Sequence, residues 1–305
     1  PPPPPPPPPP FFFHAHAATP DSVASRGLGD VYKRQMQPEL ADDDEGLEAF
    51  YAEARAVAQL NHTNIIHLYQ FGRIKDQLYL VMELALSGSL DRLIDVHRTV
   101  PELQVLSVGI KIASALDTAR KQNLLHRDIK PGNILFNTDN EPKLVDFGLV
   151  TKAEAGVDYS EQIWGTPYYI APEKLRREPE TFLADMYSLA GTLYHAITGH
   201  TPFEAPDIDG VVLAHLNTQL TPPNQVIPSI TGPTSDAIVR AMDKAPSNRF
   251  QSYDEFIMAL TASRSQLLRS QLAPISNTNK RSPKSTPAKE SAPSKRCLLY
   301  TSDSA

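Results

Sequence analysis

Cysteine is nearly absent from this chain, since its 305 residues contain only one, Cys297. A disulfide framework is therefore excluded, and a cytoplasmic setting is compatible with the composition. No stretch of about 18 apolar residues exists, so the sequence predicts no transmembrane helix. A secretory signal is not expected either, because the apolar run at 11–13 is only three phenylalanines long and no basic segment precedes it.

Both ends of the chain resemble translated oligonucleotide. Residues 30–35 read DVYKRQ, which matches the in-frame translation of GAT GTG TAT AAG AGA CAG in a transposase library adapter. Residues 297–302 read CLLYTS, which matches the opposite strand, TGT CTC TTA TAC ACA TCT. The decaproline at 1–10 can also form a polyproline II segment. Two matches to one oligonucleotide favour the other interpretation, so we treat 1–35 and 297–305 as non-native or disordered.

Charge is distributed unevenly along the chain. The net charge is −6, yet residues 264–296 carry eight Lys and Arg and a single acid, Glu290. The stretch is rich in Ser, Pro and Thr and has no apolar periodicity, so we predict a disordered basic linker over 263–296. Contact with a membrane surface or an anionic partner is one interpretation of this linker, and a solvated spacer is the favoured one.

Apolar spacing predicts a small β-containing front followed by a helical back. From Pro172 onward the pattern is helical, and no internal repeat is visible. The expected elements are helices over 40–60, 102–121 and 253–261, strands over 65–71, 77–82, 134–136 and 143–145, and a turn over 72–76.

Four short motifs carry the chemistry. His126-Arg-Asp-Ile-Lys-Pro-Gly-Asn133 comes first, and Asp146-Phe-Gly148 begins thirteen residues after Asn133. Gly165-Thr-Pro167 and Ala171-Pro-Glu173 follow. Each motif alone is weak evidence, whereas the set in this order is specific. Over residues 36–262 the chain therefore resembles a eukaryotic-type serine/threonine protein kinase of the bacterial kind.

The resemblance implies a bilobal α+β fold with an incomplete N-lobe sheet and a mainly helical C-lobe. The expected division is an N-lobe remnant over 36–82, a hinge over 83–86 and a C-lobe over 87–262.

The front of the N-lobe is where the sequence departs from the family pattern. Gly27-Leu-Gly29-Asp-Val31 imitates the end of a glycine-rich loop, but Met36 follows too soon for the two strands that should come next. Counting back from Glu53 places Arg34 near the ATP-anchoring lysine, and arginine is not an equivalent donor there. Residues 31–36 still have strand character, so we expect them to pair with 79–82 in a short sheet.

The resemblance assigns the phosphate chemistry to four residues. Asp128 would accept the proton of the substrate hydroxyl, and Lys130 would neutralise the transferred phosphate. Asn133 and Asp146 would supply oxygen ligands to Mg²⁺, with Mn²⁺ as an alternative. Around them the family implies an ATP site in which Glu53 pairs with the anchoring lysine. The expected nucleotide-binding residues are Glu53, Met82, Glu83, Ala85, Leu135 and Val145.

Regulatory and architectural roles also follow from the resemblance. Arg127 would dock a phosphate on the activation segment, 149–170, where Ser160 and Thr151 are candidate sites. Thr166 would contact Asp128 and Lys130 and mark Ser/Thr specificity. The residues expected to support the architecture are His126, Phe147, Gly148, Glu173, Asp185 and Arg249.

The implied substrates are ATP and the Ser/Thr hydroxyls of proteins. We expect no nucleic-acid partner, and a membrane tether only in a longer parent protein. A non-catalytic pseudokinase or scaffold is one alternative, which the complete set of Asp128, Lys130, Asn133 and Asp146 opposes. A small-molecule phosphotransferase of related fold is another, which the peptide-binding segment ending at Glu173 opposes. This chain itself is expected to be impaired by the loss of its glycine-rich loop and lysine.

Overall fold

The computed structural model describes residues 31–35, 44–74, 77–147 and 167–272. Its first sheet is antiparallel and contains β1 (Val31–Gln35), β2 (Leu68–Ile74) and β3 (Gln77–Glu83) in the order β1-β3-β2. In the β1–β3 register Gln35 lies opposite Tyr79 and Val31 opposite Glu83. The expected pairing is thereby confirmed for residues 31–35, and residue 36 lies outside the described part. The sheet formed by the described residues has three strands.

Strand β2 extends further toward β3 than the sequence predicted. The turn was expected to begin at Gly72, but β2 continues to Ile74. Gly72 lies opposite Tyr79, and a Cβ at position 72 would lie 2.9 Å from the Tyr79 hydroxyl. The prediction was wrong because a glycine reads as a turn residue, whereas here it makes room for the ring of its cross-strand partner.

Helix α1 (Asp44–Ala58) lies against β2 and contributes the buried side chains of Ala54 and Val57 to the core. A turn follows the end of this helix, in which the Leu60 N–H donates to the Val57 carbonyl. The helix expected over 40–60 is thus confirmed for 44–58, and residues 36–43 lie outside the described part.

The back of the molecule is mainly helical and is built around one buried helix, α5 (Phe182–Thr198). Gly109 of α3 (Glu102–Lys121) lies against it. A Cβ at position 109 would come within 2.7 Å of Leu193 Cδ1, so glycine permits the two helices to approach closely. The elements are α2 (Leu90–His97), α3 (Glu102–Lys121), β4 (Ile134–Phe136), β5 (Pro142–Leu144), α4 (Pro172–Leu175), α5 (Phe182–Thr198), α6 (Ile208–Asn217), α7 (Pro223–Val226), α8 (Gly232–Ala241) and α9 (Tyr253–Leu272).

Helix α9 corrects the predicted end of the domain. The sequence placed a disordered linker from residue 263, yet α9 continues to Leu272. Ser263 is only 2% exposed and Leu267 packs against the core, so a buried face persists beyond the predicted boundary. Arg264 and Arg269 lie on the exposed face of the same helix, and these basic residues led to the wrong prediction. Residues 273–296 lie outside the described part.

None of the helices that the structure describes is both long enough and apolar enough to cross a lipid bilayer.

Candidate active site

The loop that carries Asp128 is held in place by a carboxylate from α5. Asp185 is buried in the first turn of α5 and accepts the backbone N–H groups of His126 at 2.7 Å and Arg127 at 2.8 Å. Burial raises the pKa of Asp185, and the two N–H donors oppose that rise. Arg127 has a φ of 65°, a left-handed conformation that costs an L-residue about 1–3 kcal/mol. The Asp185 contacts stabilise this strained turn immediately before Asp128.

Asp128 receives two side-chain donors on the same oxygen. Lys130 Nζ donates to Asp128 Oδ2 at 2.7 Å, and Asn133 Nδ2 donates to the same atom at 2.9 Å. Asn133 Nδ2 also donates to the Asp128 backbone carbonyl at 2.8 Å. The carboxylate is 52% exposed, and among the described residues its hydrogen-bond donors approach only Oδ2. Oδ1 is therefore oriented to accept a hydrogen bond from a ligand.

Asn133 and Asp146 are brought together by the hairpin of β4 and β5. The Val145 N–H donates to the Asn133 carbonyl at 3.0 Å, which places Asn133 beside the strand end that leads into Asp146. Because the Asn133 amide nitrogen faces Asp128, its side-chain oxygen faces away as an acceptor. Asp146 has a φ of 59°, a second left-handed residue in the site. An amide oxygen and a carboxylate fit Mg²⁺, which binds hard oxygen ligands.

His126 is a packing residue with a defined tautomer. Its Nε2 lies 2.9 Å from the Val145 carbonyl, so this nitrogen carries the proton and Nδ1 is an acceptor. Its ring centroid lies 4.7 Å from that of Phe147. A pocket lies beside these two rings, and its lining residues are apolar except for Asp146. The pocket is lined by Val57, Ile66, Leu68, Leu80, Met82, Asp146 and Phe147.

The expected adenine-binding stretch lies between β3 and β4. Met82 is buried at the pocket wall, and Glu83 ends β3. Beyond Ala85 the chain is tied to β4, because Ser87 N–H donates to the Phe136 carbonyl and the Phe136 N–H donates to the Gly88 carbonyl. In the same pairing Leu135 lies opposite Ser89, and Val145 is buried.

One connection in this region was not predicted from the sequence. Lys143 Nζ lies 2.6 Å from Glu83 Oε1, and the lysine is buried. The sequence offers one clue to this contact, which is a lysine inside the otherwise apolar stretch 142–145.

The segment after the activation loop is anchored by a buried ion pair. Arg249 Nη1 and Nη2 donate to the two oxygens of Glu173 at 2.6 and 2.7 Å. Arg249 also donates to the carbonyls of Leu183 and Asp243, and it is 0% exposed. The pair implied by the resemblance is therefore present, and each of the three nitrogen atoms of this buried guanidinium donates to an acceptor.

Several expected site residues cannot be placed. The side chain of Glu53 and the whole of Gly148, Thr151, Ser160 and Thr166 lie outside the described part of the chain. For the anchoring-lysine position, the β1–β3 register sets Arg34 opposite Leu80, which lines the pocket.

A buried histidine behind the site predicts a pH-dependent stability. His215 Nδ1 lies 2.9 Å from the Tyr187 hydroxyl, and burial together with the charge of Lys244 lowers the pKa of His215 from 6.5 to about 3. Below pH 6.5 the unfolded chain takes up a proton on this histidine that the folded chain does not take up. The free energy of unfolding therefore decreases as the pH is lowered. We expect this histidine alone to remove about 2 kcal/mol between pH 7.5 and 5.

Urea denaturation at several pH values checks this expectation. His215→Gln should lose less stability over that pH range than the parent chain, whatever its stability at pH 7.5. His200→Gln is the control, since the His200 side chain is exposed and pairs with exposed Glu204. Identical pH slopes for the parent chain and His215→Gln would contradict the assignment.

The anchored loop, the candidate oxygen ligands and the apolar pocket form one candidate site, with the arrangement that a protein kinase would have. Comparison with known proteins agrees: the protein kinase domain matches residues 30–263. The chain belongs to the protein kinase family.

Two of the curated relatives are bacterial kinases. The chain is 31% identical to a probable serine/threonine-protein kinase of Clostridium perfringens, over 77% of this chain and 36% of the relative. It is 31% identical to serine/threonine-protein kinase PknL of Mycobacterium tuberculosis, over 75% and 60% of the two chains. The chain thus spans between about a third and three fifths of the length of these relatives.

Proposed function

We propose that this chain carries the catalytic chemistry of a kinase that transfers the γ-phosphate of ATP to Ser and Thr hydroxyls of proteins. The observation that supports this most directly is the convergence of Lys130 and Asn133 on a single oxygen of Asp128. That arrangement brings a carboxylate, a lysine and a side-chain amide together within one short loop.

The proposed roles follow from these contacts. Asp128 orients the substrate hydroxyl and accepts its proton on Oδ1, while Lys130 stabilises negative charge on the transferred phosphate. Asn133 and Asp146 hold Mg²⁺, which neutralises phosphate charge when it is bound. The adenine lies between Leu135 and backbone groups of Glu83 and Ala85. Catalysis of this kind depends on positioning and on charge more than on covalent chemistry.

Protein substrates are favoured over small molecules by the anchored segment. The Glu173–Arg249 pair fixes the chain directly after Tyr169 and Ile170, a stretch that a small-molecule phosphotransferase does not need. Specificity for Ser and Thr is supported by Lys130 and by the relatives, which are named serine/threonine-protein kinases. The cytoplasm is the proposed compartment, in line with a composition that has no cysteine before Cys297.

Low turnover is proposed for this chain as it stands. Arg34 occupies the register position opposite Leu80, and no glycine-rich loop precedes it at the spacing that the family requires. Each positioned donor at such a site is worth about 10²–10³-fold in kcat.

The test is ATP-dependent phosphorylation followed by phosphoamino-acid analysis. One sample is the chain itself, and the other is a chimera in which a complete glycine-rich loop and lysine-bearing strand replace residues 1–35. We expect the chimera to form phosphoserine and phosphothreonine at a rate at least about 10² times that of the chain. Robust transfer by the chain would contradict the proposed impairment. A folded chimera that binds ATP without transferring phosphate would contradict the proposed catalysis and favour a pseudokinase.

A further inference from the structure

The unpredicted ion pair between Lys143 and Glu83 joins two parts of the nucleotide site. Lys143 lies on β5, and Glu83 is the last residue of β3, where the hinge begins. Their Nζ and Oε1 atoms are 2.6 Å apart, and the side chains are 9% and 22% exposed. Two charges withdrawn from water to this extent interact far more strongly than an exposed pair.

The same glutamate is also held from the other side. The His67 N–H donates to Glu83 Oε2 at 3.2 Å, and the Glu83 N–H donates to the His67 carbonyl at 2.8 Å. The carboxylate therefore joins the segment before β2 to β5, using one oxygen for each. If either donor is removed, the partly buried carboxylate of Glu83 loses an interaction that offsets the cost of its burial.

Lys143 also acts on a neighbouring histidine, His62. Burial and the charge of Lys143 lower the pKa of His62. The ring of His62 is engaged elsewhere, since Nδ1 accepts the Asn64 N–H at 3.0 Å and Nε2 lies 3.1 Å from Ser114 Oγ. Both ring nitrogens of His62 are therefore engaged outside the Lys143–Glu83 pair.

The position of Lys143 connects the hinge to the floor of the site. In the β4–β5 register Lys143 lies opposite Leu135, which is the proposed floor under the adenine. The far end of the hinge is also tied to β4, because Phe136 donates its N–H to Gly88 and accepts that of Ser87. Residues 84–86 are thus held to the β4–β5 hairpin at both ends. The backbone hydrogen bonds of Phe136 hold the far end, and the Lys143–Glu83 ion pair holds the end that follows β3.

We propose that Lys143 and Glu83 are positioning residues for adenine, a role that rests on the proposed nucleotide-binding function. Their ion pair holds the hinge backbone at a fixed separation from Leu135, so that the base enters a preformed gap. Without it, part of the binding free energy is spent on ordering residues 84–86, and affinity for the base falls. A pair that only stabilised the fold would leave the affinity of the folded protein unchanged.

The experiment measures adenosine binding to this chain by titration calorimetry, since adenosine probes the base site without phosphates. Lys143→Met and Glu83→Gln are each expected to weaken binding about tenfold, and the double variant no further, because the residues act as a unit. Lys143→Arg should restore affinity to within about threefold, since it keeps the charge. Amide hydrogen exchange at residues 83–88 should quicken in the two weakened variants.

Lys111→Met is the matched control, because it breaks another Lys–Glu pair of the same length. Lys111 Nζ lies 2.6 Å from Glu141 Oε2, between α3 and the β4–β5 turn, away from the hinge. This variant should bind adenosine like the parent chain. If Lys143→Met does not fold, the test uses Glu83→Gln alone, because this variant keeps a hydrogen-bond acceptor at position 83.

Two outcomes separate this inference from the proposed function. Parent-like adenosine affinity and hinge exchange in the folded variants overturn the positioning role alone. Failure of the parent chain to bind adenosine overturns the proposed nucleotide site and the positioning role with it.

Discussion

Replacing Arg249 by methionine is expected to lower the free energy of unfolding by about 3–5 kcal/mol, the usual cost of removing one partner of a buried ion pair. The substitution keeps an apolar side chain of some length but leaves the Glu173 carboxylate buried without its two donors. The carbonyls of Leu183 and Asp243 lose a donor as well. Urea denaturation followed by circular dichroism measures the change, with the slope of the transition checked for two-state behaviour.

Lys121→Met provides the comparison on the surface. Lys121 Nζ lies 2.7 Å from Asp117 Oδ2, but the lysine is 67% exposed, so its removal should cost less than about 1 kcal/mol. The double variant Glu173→Gln, Arg249→Met should recover part of the single-variant loss, because it no longer buries an unpaired charge. A loss below about 1 kcal/mol for Arg249→Met would show that the pair contributes little.

The largest functional effect is expected at Asp128. In the chimera with a complete N-lobe, Asp128→Asn should lower kcat by about 10²–10⁴-fold, because an amide cannot take the proton of the substrate hydroxyl. The KM for ATP should change little, since Asp128 contacts Lys130 and Asn133 and not the adenine-binding stretch. Steady-state phosphorylation of a protein substrate at varied ATP concentration separates the two quantities.

Asp139→Asn is the matched control for the loss of one carboxylate. Asp139 lies in the turn between β4 and β5, where its backbone N–H donates to Asn137 Oδ1 at 3.0 Å, and its exposed side chain is remote from the chemistry. Its kcat should stay within about twofold of the parent chimera. If Asp128→Asn retains more than a tenth of the parent kcat, general-base assistance by this residue is not required.

Local sequence patterns predicted most of the secondary structure because those patterns depend on neighbouring residues. The helix over 102–121 has the observed bounds of α3, and both short strands of the second hairpin are present. The strand expected over 65–71 begins later, at Leu68. Two further errors, at Gly72 and at the end of α9, occurred where contacts with other elements decided the outcome. Tyr79, across the hairpin, fills the space above Gly72, and the core buries Ser263. The residue pattern of a single element shows neither contact.

The sequence by itself determined the family and the residue types of the site, because phosphoryl transfer requires a carboxylate, a lysine and oxygen ligands at close spacing along one loop and strand. The tertiary structure alone decided how that loop is held. Asp185 reaches back 59 residues to the His126 N–H, and Lys143 meets Glu83 across the hinge. Such contacts depend on which surfaces pack together in the folded chain, and residue order does not specify that packing locally.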